Sequence, residues 1–373
     1  MIKTDSLKMR GYTQLFIQPK AWIYTKLQIQ PIGQIYTKLF ICLVFICFAV
    51  PIFAQSSDVD YIEGWVDIKD SSGEIFELFI GDVVSNGETV ITGDDGLAEL
   101  IPESGSRIVI KPGTVFTVGT RTVNGRKQSV LSCALGQVSY KFDRMTGAEP
   151  TIATPSMVCG IRGTEFTVLA AADGSSLIVV DSGAVEVESQ GATVMLGAQE
   201  GVEVKSGQVP GEKFEVLRGK MDFDQWNEGR IEEMLADPLG SLARIGMQMA
   251  ELIIQMEEYR GFYEERLVIL EEYDQKLDEL ITGGNEEEYQ AYFKDTLRPM
   301  QVEAADLVLN YRYYALSALA LRRHVMTGLY VRMKGQFLGF SGDPMYDQFI
   351  RDYQALLDEY ETRVVPLLNE DDI

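Results

Sequence analysis

Two periods of apolar and polar residues divide this chain. Between about residues 60 and 210 the two kinds alternate: Val138, Tyr140 and Phe142 stand against Ser139 and Lys141, and Val185 with Val187 stands against Glu186 with Glu188. Val202 and Val204 against Glu203 and Lys205 repeat the pattern, which is the period of two of a half-buried strand. Turn pairs punctuate the stretch, among them Asn86-Gly87, Asp95-Gly96, Asn124-Gly125, Asp173-Gly174, Ser182-Gly183 and Ser206-Gly207. Tight hairpin turns need positive φ, which glycine adopts without steric cost. The region is therefore predicted to be all-β, with short antiparallel strands forming a sandwich, a roll or a solenoid.

Near residue 215 the period changes, and residues 221–373 read as a helical domain. Apolar side chains recur from Ile245 through Met249, Leu252, Met256, Tyr259 and Tyr263 to Leu267, Leu270, Tyr273, Leu277 and Leu280. Their mean spacing of about 3.5 residues is that of a coiled coil or long helical hairpin. Helix starts are marked at Asp237-Pro238 and Asp343-Pro344, where a carboxylate caps free amides and proline takes the first helical position. Asn285 with Glu288 reads as a capping box after the stop at Gly283-Gly284. These signals predict an elongated three-helix bundle: a first long helix, an antiparallel return over residues 286–340 kinked at Pro299, and a third helix over 346–368. A short helix over 221–236 is expected at the junction, and the apolar seam offers a surface for homo-oligomerisation. Pro210-Gly211 puts the boundary between two separable halves near residues 210–220.

The chain has 373 residues, 46% of them hydrophobic, enough for two cores. Residues 39–53 form an apolar run of fifteen after Lys38, with Pro51 near its end and the small Ala54 just beyond. That is the layout of a secretory signal peptide and short for a bilayer span of about 20 residues. Export to the periplasm with cleavage after Ala54 is expected, an uncleaved anchor being the alternative. Ile41 and Ile46 precede Cys42 and Cys47 where a lipoprotein signal would want a small residue. Residues 1–35, in which Tyr-Thr-Lys occurs at 24–26 and again at 36–38 just beyond, read as an over-extended start outside the fold; with the signal they make up a segment over 1–54.

The formal charge is −23, and residues 1–54 hold six basic side chains against Asp5 alone, so their removal leaves −28. Such a surface repels phosphate backbones and anionic headgroups. Nucleic acid is excluded as a partner, and membrane contact is limited to the amino-terminal segment if it stays uncleaved.

Candidate chemistry is sparse. Cys133 and Cys159, which remain after cleavage, permit one disulfide in an exported chain; equally they fit their apolar strands as two buried small hydrophobes, the stronger of the two readings. His324, the one histidine, lies on a helix with no nucleophile and supporting acid beside it in sequence, so a structural role outweighs that of a general base. One histidine and two distant cysteines make no zinc site. Acidic runs such as 264–265 and 286–288 lack the glycine-containing loop that wraps calcium, and read as solvated helix faces. No cofactor is implied, and no enzyme.

The most specific segment is Thr154-Pro155-Ser156-Met157-Val158-Cys159-Gly160-Ile161-Arg162-Gly163-Thr164-Glu165-Phe166. It has no Walker lysine and runs into a strand, so it is no phosphate loop. Gly160 and Gly163 suit a sharp corner between two strands, with Arg162 and Glu165 pairing or bonding backbone carbonyls, an architectural role more than a ligand-binding one. This segment resembles the signature of the FecR domain. Gly81-Asp82, Thr92-Gly93-Asp94, Ala134-Leu135-Gly136-Gln137-Val138 and Ser182-Gly183-Ala184-Val185 fall in that family's order, so residues 60–210 are read as a FecR-like domain. The resemblance implies a periplasmic sensing or interaction module. In the best-known members a cytoplasmic helical domain binds a sigma factor, and the periplasmic domain receives a signal from an outer-membrane transporter. Residues 1–38 are too short and too basic for the sigma-binding part. The reading is a non-enzymatic envelope protein that binds a protein or polymer of the envelope through its β domain, its helices presenting or oligomerising it. The alternative is a membrane-anchored regulator coupling a transporter to transcription.

Overall fold

Alternation becomes sheet. The computed structural model describes residues 56–102, 105–123, 126–142, 150–216, 222–283, 286–338 and 342–368. Its first part holds β1 (Ser56–Glu63), β2 (Val66–Lys69), β3 (Ile75–Glu77), β4 (Val83–Ser85), β5 (Thr89–Thr92), β6 (Leu97–Pro102), β7 (Arg107–Ile110) and β8 (Val115–Val123). There follow β9 (Arg126–Lys141), β10 (Thr151–Ala153), β11 (Val158–Ala170), β12 (Ser176–Ser189), β13 (Ala192–Leu196), β14 (Glu200–Val204) and β15 (Phe214–Glu215). All belong to one hydrogen-bonded network, in the order β15-β14-β12-β11-β10-β9-β7-β6-β1-β4, with β3-β2-β5-β8 joining at β9. Every pairing is antiparallel except β10 with β9. The alternating valines, Tyr140 and Phe142 face inward into one core, while Glu186 and Glu188 face solvent.

Three strands are longer than a hairpin needs, and each changes neighbours or register part-way. β9 pairs with β8 up to Leu135 and with β7 from Val138, and β11 pairs with β10 up to Gly160 and with β9 from Glu165. Gly136, Gly163 and Gly183 have φ of 98°, 55° and 88° at these points of β9, β11 and β12. A left-handed residue inside a strand makes a bulge that bends the ladder. Ser182-Gly183, expected as a turn between strands, thus lies within β12.

The helices are α1 (Phe223–Ala236), α2 (Pro238–Gly283), α3 (Glu286–Tyr292), α4 (Arg298–Ala320), α5 (Thr327–Gln336), α6 (Pro344–Arg363) and α7 (Val365–Leu368). The Asp237 carboxylate accepts from the Gly240 N–H at 3.0 Å, and that of Asp343 accepts from the Met345 and Tyr346 N–H groups at 2.9 and 3.0 Å. Both proline starts are thereby capped. Asn285 lies outside the described residues. Two π-helical turns, Phe293–Leu297 and Leu321–Met326, join α3 to α4 and α4 to α5. The first sits just before Pro299, where a wider turn gives room to a ring that would otherwise crowd a carbonyl one turn back.

The three-helix bundle covers only part of the predicted length. α2 has 46 residues and α6 has 20, which at 1.5 Å per residue is about 69 Å against about 30 Å. The buried residues of α2 end at Met256, the level at which Arg363 grips Glu257 at 2.8 and 2.6 Å. Beyond it α2 and the returning helix continue as a pair, through Tyr273 against Tyr292 and the 2.6 Å bridge of Arg266 with Glu303. Leu267, on the expected seam, is 43% exposed there, and Ile253 is more buried than Leu252. The helical core, of Met234, Ile245, Met249, Tyr311, Leu329 and Phe349 among others, is separate from the β core.

Candidate interaction site

The motif begins in a tight turn between β10 and β11. The Thr154 N–H donates to the Met157 carbonyl at 3.0 Å, and Thr154 Oγ1 accepts from the Met157 N–H at 3.1 Å and from Ser176 Oγ at 2.7 Å. Ser156 Oγ donates to Ser176 Oγ at 2.8 Å. Two of these hydroxyls, Ser156 and Ser176, are buried, so the short chain of bonds satisfies groups that would otherwise cost stability. The Pro155 carbonyl points the other way and accepts from Gln248 Nε2 of α2 at 3.2 Å. Gln248 is buried, and its Oε1 accepts from Ser206 Oγ at 3.0 Å. One helical side chain therefore ties the motif turn to the turn after β14.

The rest of the motif is one bulged strand, not a corner between two. Thr164 Oγ1 donates to the Ala184 carbonyl at 3.0 Å, and the bulge at Gly163 lies against Gly183, where a Cβ would stand 2.7 Å from the Gly163 carbonyl. Gly160 is extended, with room for a Cβ beside Glu186. Arg162 pairs with Ala184 in register; Glu165, exposed, stands opposite Lys141 on one side and Ser182 on the other. Phe166 is buried and stacks on Tyr140 at 4.9 Å, with Phe142 at 6.1 Å. Cys133 and Cys159 are free, fully buried thiols; burial pushes that of Cys133 up to about 12 and raises that of Cys159 further, so both stay protonated and inert. The Tyr140 hydroxyl, raised by burial, lacks a hydrogen-bond partner among the described residues.

Among the described residues three side-chain amides of the helices bond the β domain, and in the other direction Gln190 Nε2 of the β domain donates to Glu251 of α2 at 3.1 Å. Besides Gln248, Asn227 Oδ1 of α1 accepts the Ala172 N–H at 2.9 Å. Asn310 of α4 accepts the Thr122 N–H at 2.7 Å and donates to the Thr122 carbonyl at 2.9 Å. Charges line the seam: Lys205 bridges Glu233 at 2.6 Å, Arg230 reaches Glu233 at 2.6 Å and Glu203 at 3.3 Å, and Trp226 Nε1 donates to Glu203 at 3.2 Å. A polar cavity of about 150 Å³ opens here, lined by Asp173, Ser175, Lys205, Glu233, Asp237 and Arg244. Burial raises the Asp173 carboxyl, opposed by its bonds to Ser175.

His324 sits in the second π-helical turn. Burial, then the charges of Arg323 and of Lys69 on β2, lower it to about 4, so it is neutral near pH 7 and faces cations in place of the acid a catalytic base would use. Among the described residues no group of three or more His, Cys, Asp or Glu side chains is placed to hold a metal ion, and no described helix is long and apolar enough to cross a membrane.

The FecR protein family model matches residues 88–186, the stretch from β5 into β12 that holds the motif turn and all three strand bends. The FecR domain is thus shown over residues 88–186. Two solved structures of a candidate anti-sigma factor from Parabacteroides distasonis ATCC 8503, at 2.50 and 1.65 Å resolution, are similar at 18% and 17% identity. They cover 34% and 37% of this chain with TM-scores of 0.28 and 0.29, and the chain spans 57% and 63% of their lengths. No curated protein matches it. The FecR match stops short of the helices, so the three amides that hold the domain come from outside it.

Proposed function

We propose that this protein is an exported, non-enzymatic FecR-domain regulator in which the β domain binds a protein of the cell envelope and the helical region carries the consequence of binding. The observation that supports it is the bond from Gln248 to Pro155: the motif turn of the FecR domain is wired to the 46-residue α2, so a change in the turn displaces a long lever. Export rests on residues 39–53 and on cleavage after Ala54. That apolar run lies outside the described residues.

Affinity capture from envelope extracts tests the binding role. The wild-type chain is expected to retain one partner that Gly183→Val loses while its helical circular dichroism persists. A catalytic activity on envelope polymers that His324→Ala removes without unfolding the helices would overturn the reading. Mass spectrometry of the native amino terminus tests export: Gln55 as first residue supports it, and retention of Lys38 in a membrane-bound protein would favour the anchored, transporter-coupled regulator.

A further inference from the structure

Resting on that reading, we propose that the outer edge of β3 and the concavity around Trp65 form the docking site for a basic, extended peptide segment of the partner. β3 pairs with β2 alone among the described residues. The bonds from the Leu78 N–H to the Val66 carbonyl and from the Asp70 N–H to the Glu74 carbonyl, each 2.9 Å, fix the phase of the ladder. Residues 74, 76 and 78 therefore turn their backbone toward β2, and Ile75 and Glu77 turn theirs outward. An outward edge is the template for an added strand.

The side chains around that edge supply specificity. Trp65 is 66% exposed, yet its ring is held: Nε1–H donates to Asp67 at 2.9 Å, and the Trp65 N–H donates to the Asp95 carboxylate at 3.3 Å. Asp67 and Glu77 are cross-strand neighbours, and with Gly64 and Trp65 they line an open concavity of about 480 Å³. An indole face beside two carboxylates suits the ammonium or guanidinium of a lysine or arginine. Ile75, Phe79 and Ile80, all more than half exposed, offer apolar contact to the residues between.

Charge selects the occupant. Residues 56–102 carry twelve carboxylates and a single basic side chain, Lys69, itself partly buried toward Arg323. A second copy of this edge would bring acid to acid, which disfavours self-pairing, whereas a basic strand is drawn in.

The test uses the full mature chain and two decapeptides, alternating Lys-Val and alternating Glu-Val, with Trp65 fluorescence and calorimetry as readouts. The basic peptide is expected to bind, more weakly by at least tenfold between 50 and 500 mM salt, and the acidic one not at all. Trp65→Ala and the pair Asp67→Asn with Glu77→Gln should each weaken it at least tenfold. Ile75→Pro removes an outward N–H without costing a bond to β2, and should weaken it similarly while circular dichroism stays unchanged. Binding that none of these changes weakens overturns the proposal, as does binding of the basic peptide that salt leaves unchanged. A partner captured equally by wild type and Trp65→Ala would overturn this site and leave the binding function standing. Failure of the wild type to capture any partner, with peptide binding intact, would overturn the function and not the site.

Discussion

Asn310 meets Thr122 as a neighbouring strand would, taking its N–H at 2.7 Å and giving a bond to its carbonyl at 2.9 Å across 188 positions of sequence. Thr122 lies on the part of β8 that β5 no longer reaches, since β5 pairs with β8 only at residues 115–117. A helical amide thus closes an edge that would otherwise be open to another chain. The β domain and the helices keep separate apolar cores and are joined by polar groups.

Asn310→Ala should therefore cost about 1–3 kcal/mol, the penalty of leaving the half-buried Thr122 N–H and carbonyl without partners. Urea unfolding measures it. Asn310→Asp should cost more, because it keeps the acceptor, loses the donor and places a charge in a buried position. A loss below about 0.5 kcal/mol for Ala would mean that water replaces the amide.

Gly183, on β12, and Gly160, in the motif, should differ. Gly183→Ala places a Cβ 2.7 Å from the Gly163 carbonyl at a φ of 88°, and is expected to destabilise the β domain by at least about 2 kcal/mol. Gly160→Ala finds open space beside Glu186 and should stay within about 1 kcal/mol. Denaturation monitored by far-ultraviolet circular dichroism separates them, and equal effects would refute the bulge account.

These contrasts show what the sequence carried. The period of two, the change of period near residue 215 and the caps at Asp237 and Asp343 are local, and each is visible in a few neighbouring residues. Gly136 and Gly183 were legible as special positions, but not as bends inside strands, because a glycine at a bulge and one at a hairpin present the same residue types. The amides of the seam were missed. Their signal was a polar residue within an apolar stripe: Gln248 follows Ile245 by three and precedes Met249, and Asn310 adjoins Tyr311, both places that face a neighbour. Nothing local named the neighbour, since Pro155 and Thr122 lie far away in the chain. Nor does the 3.5-residue spacing of α2 reveal that α6 ends at Glu257, because a seam's length depends on its partner's.

Trypsin should cut at Lys213, within the exposed stretch 211–215, and leave two fragments that co-elute on gel filtration. The reason is that each half has its own core while Asn227, Gln248, Asn310 and the Lys205–Glu233 bridge still join them. High salt weakens the bridges and should release the fragments, each keeping its own secondary structure. Mutual unfolding on cleavage would show that the two halves are one cooperative unit.

His324 should make the protein acid-sensitive. Folded, it takes up a proton only near pH 4, because burial and the charges of Arg323 and Lys69 disfavour the cation, whereas in the unfolded chain it does so near its ordinary 6.5. Between these values the unfolded state binds more protons, so stability falls as the pH drops from about 6.5 to about 4 and levels off below. Tyr360, raised by burial and lowered in turn by Arg322 and Arg323, adds nothing in that range. The carboxylates that titrate there do so in wild type and variant alike, so the difference between His324→Gln and wild type isolates the histidine. It should be small at pH 7.5 and grow in favour of the variant as the medium acidifies, approaching about 3 kcal/mol near pH 4. Urea midpoints measured at half-unit pH steps read it directly. A difference that stays constant with pH would place the imidazole in contact with water and remove the histidine from the seam between the π-helical turn and β2.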